Sequence, residues 1–303
     1  MPWIFLNGEL VEESRAAVPA LDRGLLYGYG LFETMRSYRG HVFRLEEHYL
    51  RLCRGAALLD LNVPVTLPGL REAITALLQR NNLSDAYVRL TITAGPPPGH
   101  GEATHDGQEQ VLLQVRQLTD YPKEMYQRGM AAVISPVRRN ETSLLCRVKS
   151  LNYLDNLLAR NQAQRQQAEE AILLNSHGLV AEGSASNVFL IKDSALITPS
   201  IASGALPGIT RKVVLELAAE TGLKTREAGV EPAALLEASE AFLTNSLMEL
   251  MPLTRLDGQP IGSGRPGIVT QRLHRLYRKL ALAETAHPRM VGGKNAAVEG
   301  NAM

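Results

Sequence analysis

The sequence predicts a protein of two α+β domains. Segments with the period of a strand and segments with the period of a helix are mixed, without the regular alternation of one doubly wound sheet. A stretch without a clear pattern, 119–130, separates two such regions, and 303 residues are enough for two domains. We therefore expect an N-terminal α/β domain over 1–118, a linker over 119–130, a C-terminal domain over 131–285 and a mobile tail over 286–303.

The N-terminal region is predicted to begin with a hairpin. Asn7-Gly8 stands between two short apolar runs, which is typical of a tight turn. Apolar residues at helical spacing predict a helix over Arg44–Leu59, and a second helix follows it. Alternation predicts a strand over Ala86–Ala94, and the Pro- and Gly-rich run 95–107 predicts a loop.

The C-terminal region has a second set of strands and helices. The run MAAVISPV predicts a strand from Met130, and helical spacing predicts a helix over Leu151–Gln167. Four short apolar runs then predict strands: EAILLN, GLVAEG, NVFLI and ALITP. One helix is predicted after Pro207 and a last one over Ile268–Leu282.

Composition and charge argue against several classes of protein. Lys+Arg 32 against Asp+Glu 31 leaves a formal charge of +1, which argues against a general nucleic-acid binder. No apolar run approaches the ~20 residues of a membrane span. Cys53 and Cys146 are the only cysteines, so we expect a cytoplasmic protein without a disulfide framework. The histidines show no metal-ligand spacing, and we expect no metal.

Lys149 lies in an apolar stretch, CRVKSLNYLDN, at the predicted start of a helix. A cation at this end of a helix is mildly unfavourable, and burial beside Val148 and Leu151 would lower the lysine pKa. A lysine that forms a Schiff base must be a neutral amine. The alternative is a lysine that simply reaches water from the helix start, which is the commoner case for an isolated residue.

Two further stretches have the chemistry of a cofactor site. Glu182, in AEGSASNVFLI, is a carboxylate that can face the ring nitrogen of a pyridine cofactor, although most residues of this kind only form turns. Pro207-Gly208 opens a helix whose first N–H groups, on Ile209 and Thr210, are free to bind a phosphate. A simple capped helix start is the alternative.

Arg51 flanks the apolar stripe of the helix predicted over Arg44–Leu59. An arginine at such an edge can reach a partly buried anion, whereas Arg54 points away from the core and is predicted to be a surface charge. The sequence leaves Arg36 and Arg44 undecided.

Five blocks of sequence together resemble one family. They are LDRGLLYGYGLFETMRSYRGHVFRLEEHYLRL, RVKSLNYLDNLLARNQA, VAEGSASNVFLI, LPGITR and AFLTNSLMELMPL. From Phe5 to Leu280 the chain is similar to the fold-type IV pyridoxal-phosphate enzymes, the class-IV aminotransferase family, which includes branched-chain and D-amino-acid aminotransferases and 4-amino-4-deoxychorismate lyase. The resemblance implies their two-domain fold, pyridoxal 5'-phosphate as cofactor, and a homodimer with its pocket near the subunit interface.

The resemblance also implies a role for each candidate residue. Lys149 matches the lysine that holds the cofactor covalently and then acts as general acid and base. Glu182 matches the partner of the pyridine nitrogen, and Arg51 with Ile209 and Thr210 matches the phosphate site. The other matches are Ser246 as a phosphate hydroxyl, Tyr153 near the phenolic oxygen, Thr34 in lyase proton transfer, and Tyr27, Tyr87, Arg89 and Asn245 on the substrate side.

The sequence favours the lyase, which gives pyruvate and 4-aminobenzoate for folate synthesis. LLYGYGLFETMRSYRG, RLTITAG and the triplet Thr244–Ser246 resemble lyases. The alternative is an aminotransferase acting on branched-chain or D-amino acids with 2-oxoglutarate or pyruvate. YVRLTI resembles the branched-chain pattern, in which Arg89 would bind a side-chain carboxylate. DGQPIGSGRPGIVT resembles the D-amino-acid enzymes, although Ala94 replaces the basic residue those enzymes use.

A third interpretation is a cofactor-free binding protein that kept the fold, because a fold does not determine a function. The retention of Lys149, Glu182 and Arg51 argues against it.

Overall fold

The computed structural model describes residues 1–97 and 108–286. Within these residues, six strands form one sheet before residue 118 and nine strands form a second sheet after residue 129. The predicted mixture of helices and strands in two regions is confirmed. Of the predicted loop, only 95–97 lie in the described part, and of the predicted tail, only Ala286 does.

The N-terminal sheet is antiparallel between all of its described neighbours. In chain order its strands are β1 (Trp3–Leu6), β2 (Glu9–Glu12), β3 (Gly30–Tyr38), β4 (His41–Val42), β5 (Ala86–Thr93) and β6 (Gln110–Gln117). They lie in the order β2-β1-β6-β5-β3-β4. The predicted hairpin joins β1 to β2, and its turn residues Asn7 and Gly8 have φ of 51° and 99°, as a two-residue hairpin turn requires.

Two long helices pack on one face of this sheet, and the opposite face turns towards the C-terminal region. The helices of this region are α1 (Arg23–Tyr27), α2 (Leu45–Leu58) and α3 (Leu67–Arg80). Every second residue of β5 is buried, and Leu90 shares an apolar core with Leu52 of α2 and Leu77 of α3. Alternation along the strand therefore turns Tyr87 and Arg89 to the face opposite the helices.

The central strands of the C-terminal sheet are buried on both faces. In chain order its strands are β7 (Met130–Arg139), β8 (Glu170–Asn175), β9 (Val180–Gly183), β10 (Asn187–Lys192), β11 (Ala195–Pro199), β12 (Lys224–Ala228), β13 (Glu240–Asn245), β14 (Glu249–Leu256) and β15 (Gln259–Pro260). The order is β12-β11-β10-β13-β14-β7-β8-β9, and β15 pairs with β14. Successive residues of β10, Val188 and Phe189, belong to different apolar cores, because successive side chains of a strand point to opposite faces.

Helices surround this second sheet. They are α4 (Lys123–Arg128), α5 (Leu154–Arg165), α6 (Ile209–Glu220), α7 (Pro232–Leu236) and α8 (Ile268–Ala286). Val213 of α6 and Leu273 of α8 share the core that contains Phe189. α4 forms within the stretch predicted as a linker, where the sequence shows no clear period.

The segment around Lys149 differs from the prediction. α5 begins at Leu154 rather than Leu151, because the chain through Lys149 is extended and pairs with β3. The Phe32 amide donates to the Lys149 carbonyl over 2.9 Å, and the next residue forms an isolated β-bridge with Leu31. The prediction that Lys149 stands at a helix start is therefore wrong, and a helix end cannot account for a change in its pKa.

A buried carboxylate joins the two regions. Glu249, which begins β14 and is 2% exposed, accepts a hydrogen bond from the Tyr38 hydroxyl of β3 over 2.8 Å. Oε2 of Glu249 lies 2.7 Å from Nε2 of His274 in α8. Oε1, the oxygen that Tyr38 contacts, lies 3.5 Å from Nη1 of Arg36. Burial acts to raise the pKa of Glu249, but the contacts with His274, Tyr38 and Arg36 lower it. The ionised carboxylate thus holds β3 and α8 together.

Removing Glu249 should destabilise the protein strongly. Glu249→Ala leaves Arg36 and Tyr38 without their buried partner, and breaking a buried ion pair in this way costs about 3–5 kcal/mol. The free energy of unfolding can be measured in denaturant. Glu237→Ala is the matched control, because Glu237 pairs with Lys192 over 2.6 Å with a side chain that is 62% exposed, where an ion pair contributes about 0–1 kcal/mol. Equal losses in the two variants would contradict the role of Glu249.

Candidate active site

A cavity of about 550 Å³ lies between the two sheets. β3 and β5 form one wall, which includes Thr34 and Arg89, and the C-terminal region supplies Lys149, Glu182 and Asn245. Cavities that bind small molecules typically have volumes of about 300–1,000 Å³. The fold therefore brings residues from distant parts of the sequence into one space large enough for a cofactor.

Lys149 is half-buried and lines this cavity. Its Nζ lies 4.6 Å from the centroid of the Phe32 ring. Desolvation, followed by the charge of Arg51, lowers the pKa of Lys149 to about 8. At pH 7 about one amine in ten is therefore unprotonated, far more than for an ordinary lysine, and the neutral form is the one that a nucleophile or a general base requires.

Arg51 is held near the start of α6 by an ionised carboxylate. Its Nε and Nη2 donate to the two oxygens of Glu33 over 2.8 and 2.6 Å. Nδ1 of His48 lies 2.7 Å from the same carboxylate. Burial acts to raise the pKa of Glu33, but Arg51 and His48 lower it to about 2. The third guanidinium nitrogen, Nη1, donates to the Pro207 carbonyl over 3.1 Å, next to the helix start.

Glu182 is 5% exposed on β9, and each of its oxygens has one polar contact with the protein. Nη2 of Arg139 lies 3.0 Å from Oε1, and the Leu206 amide donates to Oε2 over 2.8 Å. Burial raises the pKa of Glu182, whereas Arg139 and the Leu206 amide act to lower it. A buried carboxylate with lone pairs to spare thus lines the cavity.

The start of α6 also lines the cavity, through Ile209 and Thr210. The first N–H groups of a helix have no acceptor within it. Gly208 is the N-cap, and a Cβ there would lie 2.0 Å from Oδ1 of Asn187, so a larger residue would displace its neighbour. Ser246, on the turn after β13, lines the cavity as well.

Tyr153 stands between the lysine segment and β9. Its hydroxyl donates to the Ser184 carbonyl over 2.9 Å, and its ring meets Phe32 edge-on with the centroids 5.5 Å apart. Burial raises the pKa of Tyr153 to about 12. The phenol therefore stays protonated and acts as a donor.

The wall formed by β3 and β5 presents a hydroxyl beside a cation. Thr34 and Arg89 are direct cross-strand partners, so their side chains share a face. Cζ of Arg89 lies 4.0 Å from the Phe32 centroid, and Nε contacts Thr91 at 3.4 Å. Within residues 1–97 and 108–286, no carboxylate lies at ion-pair distance from Arg89. Tyr87 lines the cavity nearby.

Among the residues predicted to contact the substrate, Tyr27 is exposed and the Asn245 amide already has hydrogen-bond partners within this chain. Tyr27 is 71% exposed at the end of α1 and is not part of the cavity lining. Asn245 lines the cavity, but its Nδ2 donates to the Ala185 carbonyl over 3.0 Å and its Oδ1 accepts two backbone amides at 2.9 and 2.8 Å. Its amide therefore mainly stabilises the turn that carries Ser246.

The arginines that the sequence left undecided lie outside the cavity lining. Arg36 pairs with Asp120 at 3.2 Å and with Glu249 at 3.5 Å. Arg44 pairs with three carboxylates, those of Glu47, Glu216 and Glu284. Both are committed to structural ion pairs.

Sequence reasoning missed Glu33 and Arg139, the ionic partners of two predicted site residues. Glu33 alternates with Phe32 and Thr34 along β3, so it faces α2 rather than the cavity. His48 and Arg51 are three residues apart and so lie on one face of their helix. This spacing was the sequence signal that a carboxylate such as Glu33 could lie opposite both of them. Arg139 had no comparable signal, because Glu182 lies on another strand.

Among the described residues, no group of three His, Cys, Asp or Glu side chains is placed to hold a metal ion. In the same part of the chain, no helix combines the length and apolar character that a bilayer crossing needs.

The family profile described as amino-transferase class IV matches residues 30–256. This span contains all of the cavity-lining residues discussed above. The chain belongs to the class IV aminotransferase family. It is therefore a pyridoxal-phosphate-dependent enzyme, as its sequence predicted.

Relatives of this class IV enzyme differ in activity. A D-alanine aminotransferase of Bacillus licheniformis is 36% identical over 286 residues, which are 93% of this chain and 98% of that protein. An aminodeoxychorismate lyase of Bacillus subtilis is 38% identical over 279 residues, 91% and 94% of the two chains. A branched-chain-amino-acid aminotransferase of Salmonella typhimurium is 33% identical over 297 residues, which are 93% of this chain and 94% of that protein. The chain is about equally identical to enzymes of three different activities, so sequence identity does not show which of these activities it has.

Solved structures agree with the predicted fold. The branched-chain amino acid aminotransferase of Escherichia coli superposes with a TM-score of 0.86 at 33% identity, over 94% of this chain and 96% of that one. The branched-chain aminotransferase of the archaeon Thermoproteus uzoniensis, solved with norvaline, gives 0.86 at 31% identity, over 93% and 95%. Another branched-chain amino acid aminotransferase, solved with pyridoxamine 5'-phosphate, superposes with a TM-score of 0.87 at 29% identity, over 93% of this chain and 94% of that one. The prediction of the fold-type IV architecture is confirmed.

The residues of the cavity fit pyridoxal phosphate. Lys149 offers an amine of lowered pKa to an aldehyde, and Glu182 offers a carboxylate to a protonated ring nitrogen. Arg51 beside the start of α6 fits a phosphate dianion. The hydroxyl of Thr244 is buried in the cavity wall without a hydrogen-bond partner in the described part of the chain, so a polar ligand can satisfy it.

The lowered pKa predicts how attachment of the cofactor depends on pH. Lys149 with a pKa of about 8 becomes neutral as the pH rises through 8, whereas an ordinary lysine does so near pH ~10.4. We expect pyridoxal phosphate to attach to the cofactor-free protein faster as the pH rises through this range, and borohydride to fix it to the peptide that contains Lys149. Absorbance and peptide mapping measure both effects.

Lys149→Ala should abolish this attachment. Lys192→Ala is the control, because Lys192 pairs with Glu237 on the surface at 2.6 Å and should leave attachment unchanged. A modified peptide with another lysine, or a rate that rises only near pH ~10, would refute the assignment.

Proposed function

We propose that the protein is a 4-amino-4-deoxychorismate lyase that forms 4-aminobenzoate and pyruvate. The observation that carries the proposal is the pairing of Thr34 with Arg89 on the cavity wall beside Phe32 and Lys149. A hydroxyl for the proton step then lies near the lysine, together with a cation that has no counter-ion within residues 1–97 and 108–286. The substrate is a cyclohexadiene dicarboxylate, and it needs both.

The cofactor would be held by groups that the fold brings together. We assign Lys149 as the covalent attachment, Glu182 as the partner of the ring nitrogen, and Arg51 with the Ile209 and Thr210 amides as the phosphate site. The Ser246 hydroxyl adds a phosphate donor, and Tyr153 lies near the phenolic oxygen. When bound, pyridoxal phosphate supplies an electron sink for a carbanion.

The protein groups divide the proton transfers between them. Nζ of Lys149 removes the proton from C4 of the substrate, for which its lowered pKa suits it. The Thr34 hydroxyl assists this transfer from β3, the strand with which the Lys149 segment pairs. The C–O bond between the ring and the enolpyruvyl group then breaks, the leaving enolpyruvate takes a proton from Nζ of Lys149 and becomes pyruvate, and aromatisation of the ring drives this loss. The protein therefore has to orient the substrate and return the lysine to its neutral form.

The charge of the cavity supports a dianionic substrate. Six basic and two acidic side chains line it, although the whole chain has a formal charge of only +1. Glu33 compensates Arg51 and Glu182 compensates Arg139, whereas Arg89, Arg138 and Arg160 line the cavity without a carboxylate at ion-pair distance among the described residues. Of these three, Arg89 lies against Phe32 beside Lys149, so we assign it to a substrate carboxylate. Because the net charge of the whole chain is too small to attract an anionic substrate from a distance, these side chains in the cavity have to recognise it locally.

An aminotransferase is the second candidate, and a specific observation favours it. The relatives and solved structures include branched-chain and D-alanine aminotransferases at 33–36% identity. In that case Arg89 would bind the side-chain carboxylate of glutamate or 2-oxoglutarate. A D-amino-acid enzyme is less well supported, because the Ala94 carbonyl accepts from Arg23 and its methyl group offers no cation.

One product assay separates the two activities. The holoenzyme is given synthetic aminodeoxychorismate and, separately, branched-chain, aromatic and D-amino acids with 2-oxoglutarate or pyruvate. We expect 4-aminobenzoate and pyruvate in equal amounts from the first, with weak transamination in the others. Efficient transamination without 4-aminobenzoate would transfer the assignment to the aminotransferase.

Arg89→Gln should raise KM for aminodeoxychorismate by roughly 10- to 100-fold, since it removes a charged hydrogen bond of about 1.5–3 kcal/mol. Arg80→Gln is the matched control, because Arg80 also stacks on an aromatic ring, that of Trp3 at 4.1 Å, but is not part of the cavity lining. An unchanged KM in Arg89→Gln would remove Arg89 from the site.

We propose that the enzyme is a homodimer whose interface borders the cavity. Exposed apolar side chains of α1, the turn before Lys149 and α5 form what we call the apolar rim, with exposures between 39% and 72%. Its members are Leu25, Leu26, Tyr27, Leu144, Leu145, Leu154, Leu157 and Leu158. Leu145 and Leu154 also line the cavity, and Nδ2 of Asn152 ties the lysine segment to the Gly28 carbonyl after α1 over 3.0 Å. A second copy of the chain would cover this surface and place Tyr27 at the interface.

The size of the protein in solution tests the dimer. Light scattering should give twice the mass of one chain, and Leu157→Asp should shift the population towards the monomer because it places a charge in an apolar contact. Leu58→Asp is the control, since Leu58 is 46% exposed at the end of α2, outside the apolar rim. A monomeric native protein, or a dimer unaffected by Leu157→Asp, would refute the interface.

We further propose that the enzyme works in the cytoplasm on small amino substrates. Cys53 and Cys146 are both free thiols, which suits a reducing compartment. The near-neutral charge gives no general attraction to nucleic acid.

A further inference from the structure

Arg139 contacts Glu182 directly and also lines the cavity. It is the last residue of β7, and its Nη2 lies 3.0 Å from Oε1 of Glu182 on β9. The other oxygen of Glu182 accepts the Leu206 amide over 2.8 Å. Oε1 thus has an ion-pair contact and Oε2 accepts one hydrogen bond, and the carboxylate keeps lone pairs for a donor in the cavity.

The guanidinium of Arg139 is itself held in place. Nη1 donates to Oδ1 of Asn156 over 3.3 Å, and Nε donates to the Gly204 carbonyl over 3.4 Å. Gly204 has a φ of 95°, and a Cβ there would lie 3.1 Å from Cγ of Arg139. With a side chain that is 17% exposed, Arg139 is a fixed charge rather than a mobile surface group.

A carboxylate as buried as Glu182 needs a nearby cation to stay ionised. Burial raises the pKa of Glu182, and Arg139 is the strongest opposing influence, ahead of the Leu206 amide and Lys149. Glu170 of β8 acts in the same direction as burial. The anionic form of Glu182 therefore depends mainly on Arg139.

We propose that Arg139 is a positioning residue that keeps the Glu182 carboxylate ionised and turned into the cavity, and so sets the protonation of the cofactor's ring nitrogen. The proposal rests on the assignment of Glu182 to that nitrogen. It is independent of the choice between lyase and aminotransferase, because both activities use the same cofactor.

Three variants separate the charge of Arg139 from its shape. Arg139→Met keeps most of the side-chain length and removes the charge, and Arg139→Lys keeps the charge but loses the planar set of donors. Arg138→Met is the matched control, because Arg138 also lines the cavity but donates to the Ser135 carbonyl at 3.0 Å rather than to Glu182.

The first measurement uses the cofactor-free protein. The Glu182 carboxyl is followed by 13C NMR with labelled glutamate and assigned by its loss in Glu182→Gln. In Arg139→Met we expect the protonated form to persist to higher pH than in the native protein. Arg139→Lys should restore most of the native titration, and Arg138→Met should match the native protein. A role of Arg139 in stability alone would not move this titration.

The second measurement uses the holoenzyme loaded with cofactor that carries 15N in the ring. In Arg139→Met the ring signal should move towards the unprotonated position, as it should in Glu182→Gln, while Arg138→Met leaves it unchanged. Turnover in Arg139→Met should fall at least about tenfold, the factor that one unit in an ionisation equilibrium represents.

Two results would overturn the proposal. An unchanged titration of Glu182 in Arg139→Met would show that the carboxylate does not depend on this cation. A shifted titration together with an unchanged ring signal in both Arg139→Met and Glu182→Gln would show that Glu182 does not protonate the ring. If Arg139→Met does not fold, Arg139→Gln takes its place in both measurements, because it also removes the charge while keeping a polar side chain, and the same two results would overturn the proposal.

Discussion

The backbone pairing between β3 and the Lys149 segment is the contact on which the site depends. The Phe32 amide holds the Lys149 carbonyl, so the lysine is attached to the N-terminal sheet while Glu182 belongs to the C-terminal sheet. The same strand turns Phe32 and Thr34 to the cavity and Glu33 to α2. A shift of this register by one residue would exchange the two faces, and Arg51 would lose its carboxylate partner.

Charge compensation explains which groups of the cavity are structural and which are available for a ligand. Glu33 pairs with Arg51, and Glu182 pairs with Arg139, so neither ion pair leaves an isolated buried charge. Lys149 has no such direct partner among the described residues, and desolvation lowers its pKa to about 8. Arg89 rests against the Phe32 ring instead of a carboxylate. Within the described residues, Lys149 and Arg89 thus lie against the same Phe32 ring without a carboxylate partner, and both are available to a ligand in the cavity.

The shared cofactor machinery also explains why similarity does not select one activity. Relatives at 33–38% identity include a lyase and two kinds of aminotransferase. One fold supports several reactions, so membership of the family does not by itself select one of them. One substrate can be distinguished from another in two places. These are the wall formed by β3 and β5 and the surface that a second subunit would cover. Thr34 and Arg89 lie on that wall as direct neighbours.

The sequence by itself determined the two α+β regions, the family and the cofactor, because local periodicity and short ordered motifs carry that information. It also placed the long helices well, since the period over Arg44–Leu59 matches α2 within one residue at each end. It missed the extended conformation around Lys149, because an apolar stretch before a helix has no local sign of the strand with which it pairs. It also missed Glu33 and Arg139. Only the tertiary structure decided which charges neutralise each other, because Arg139 and Glu182 lie on different strands and meet only when the second sheet has formed.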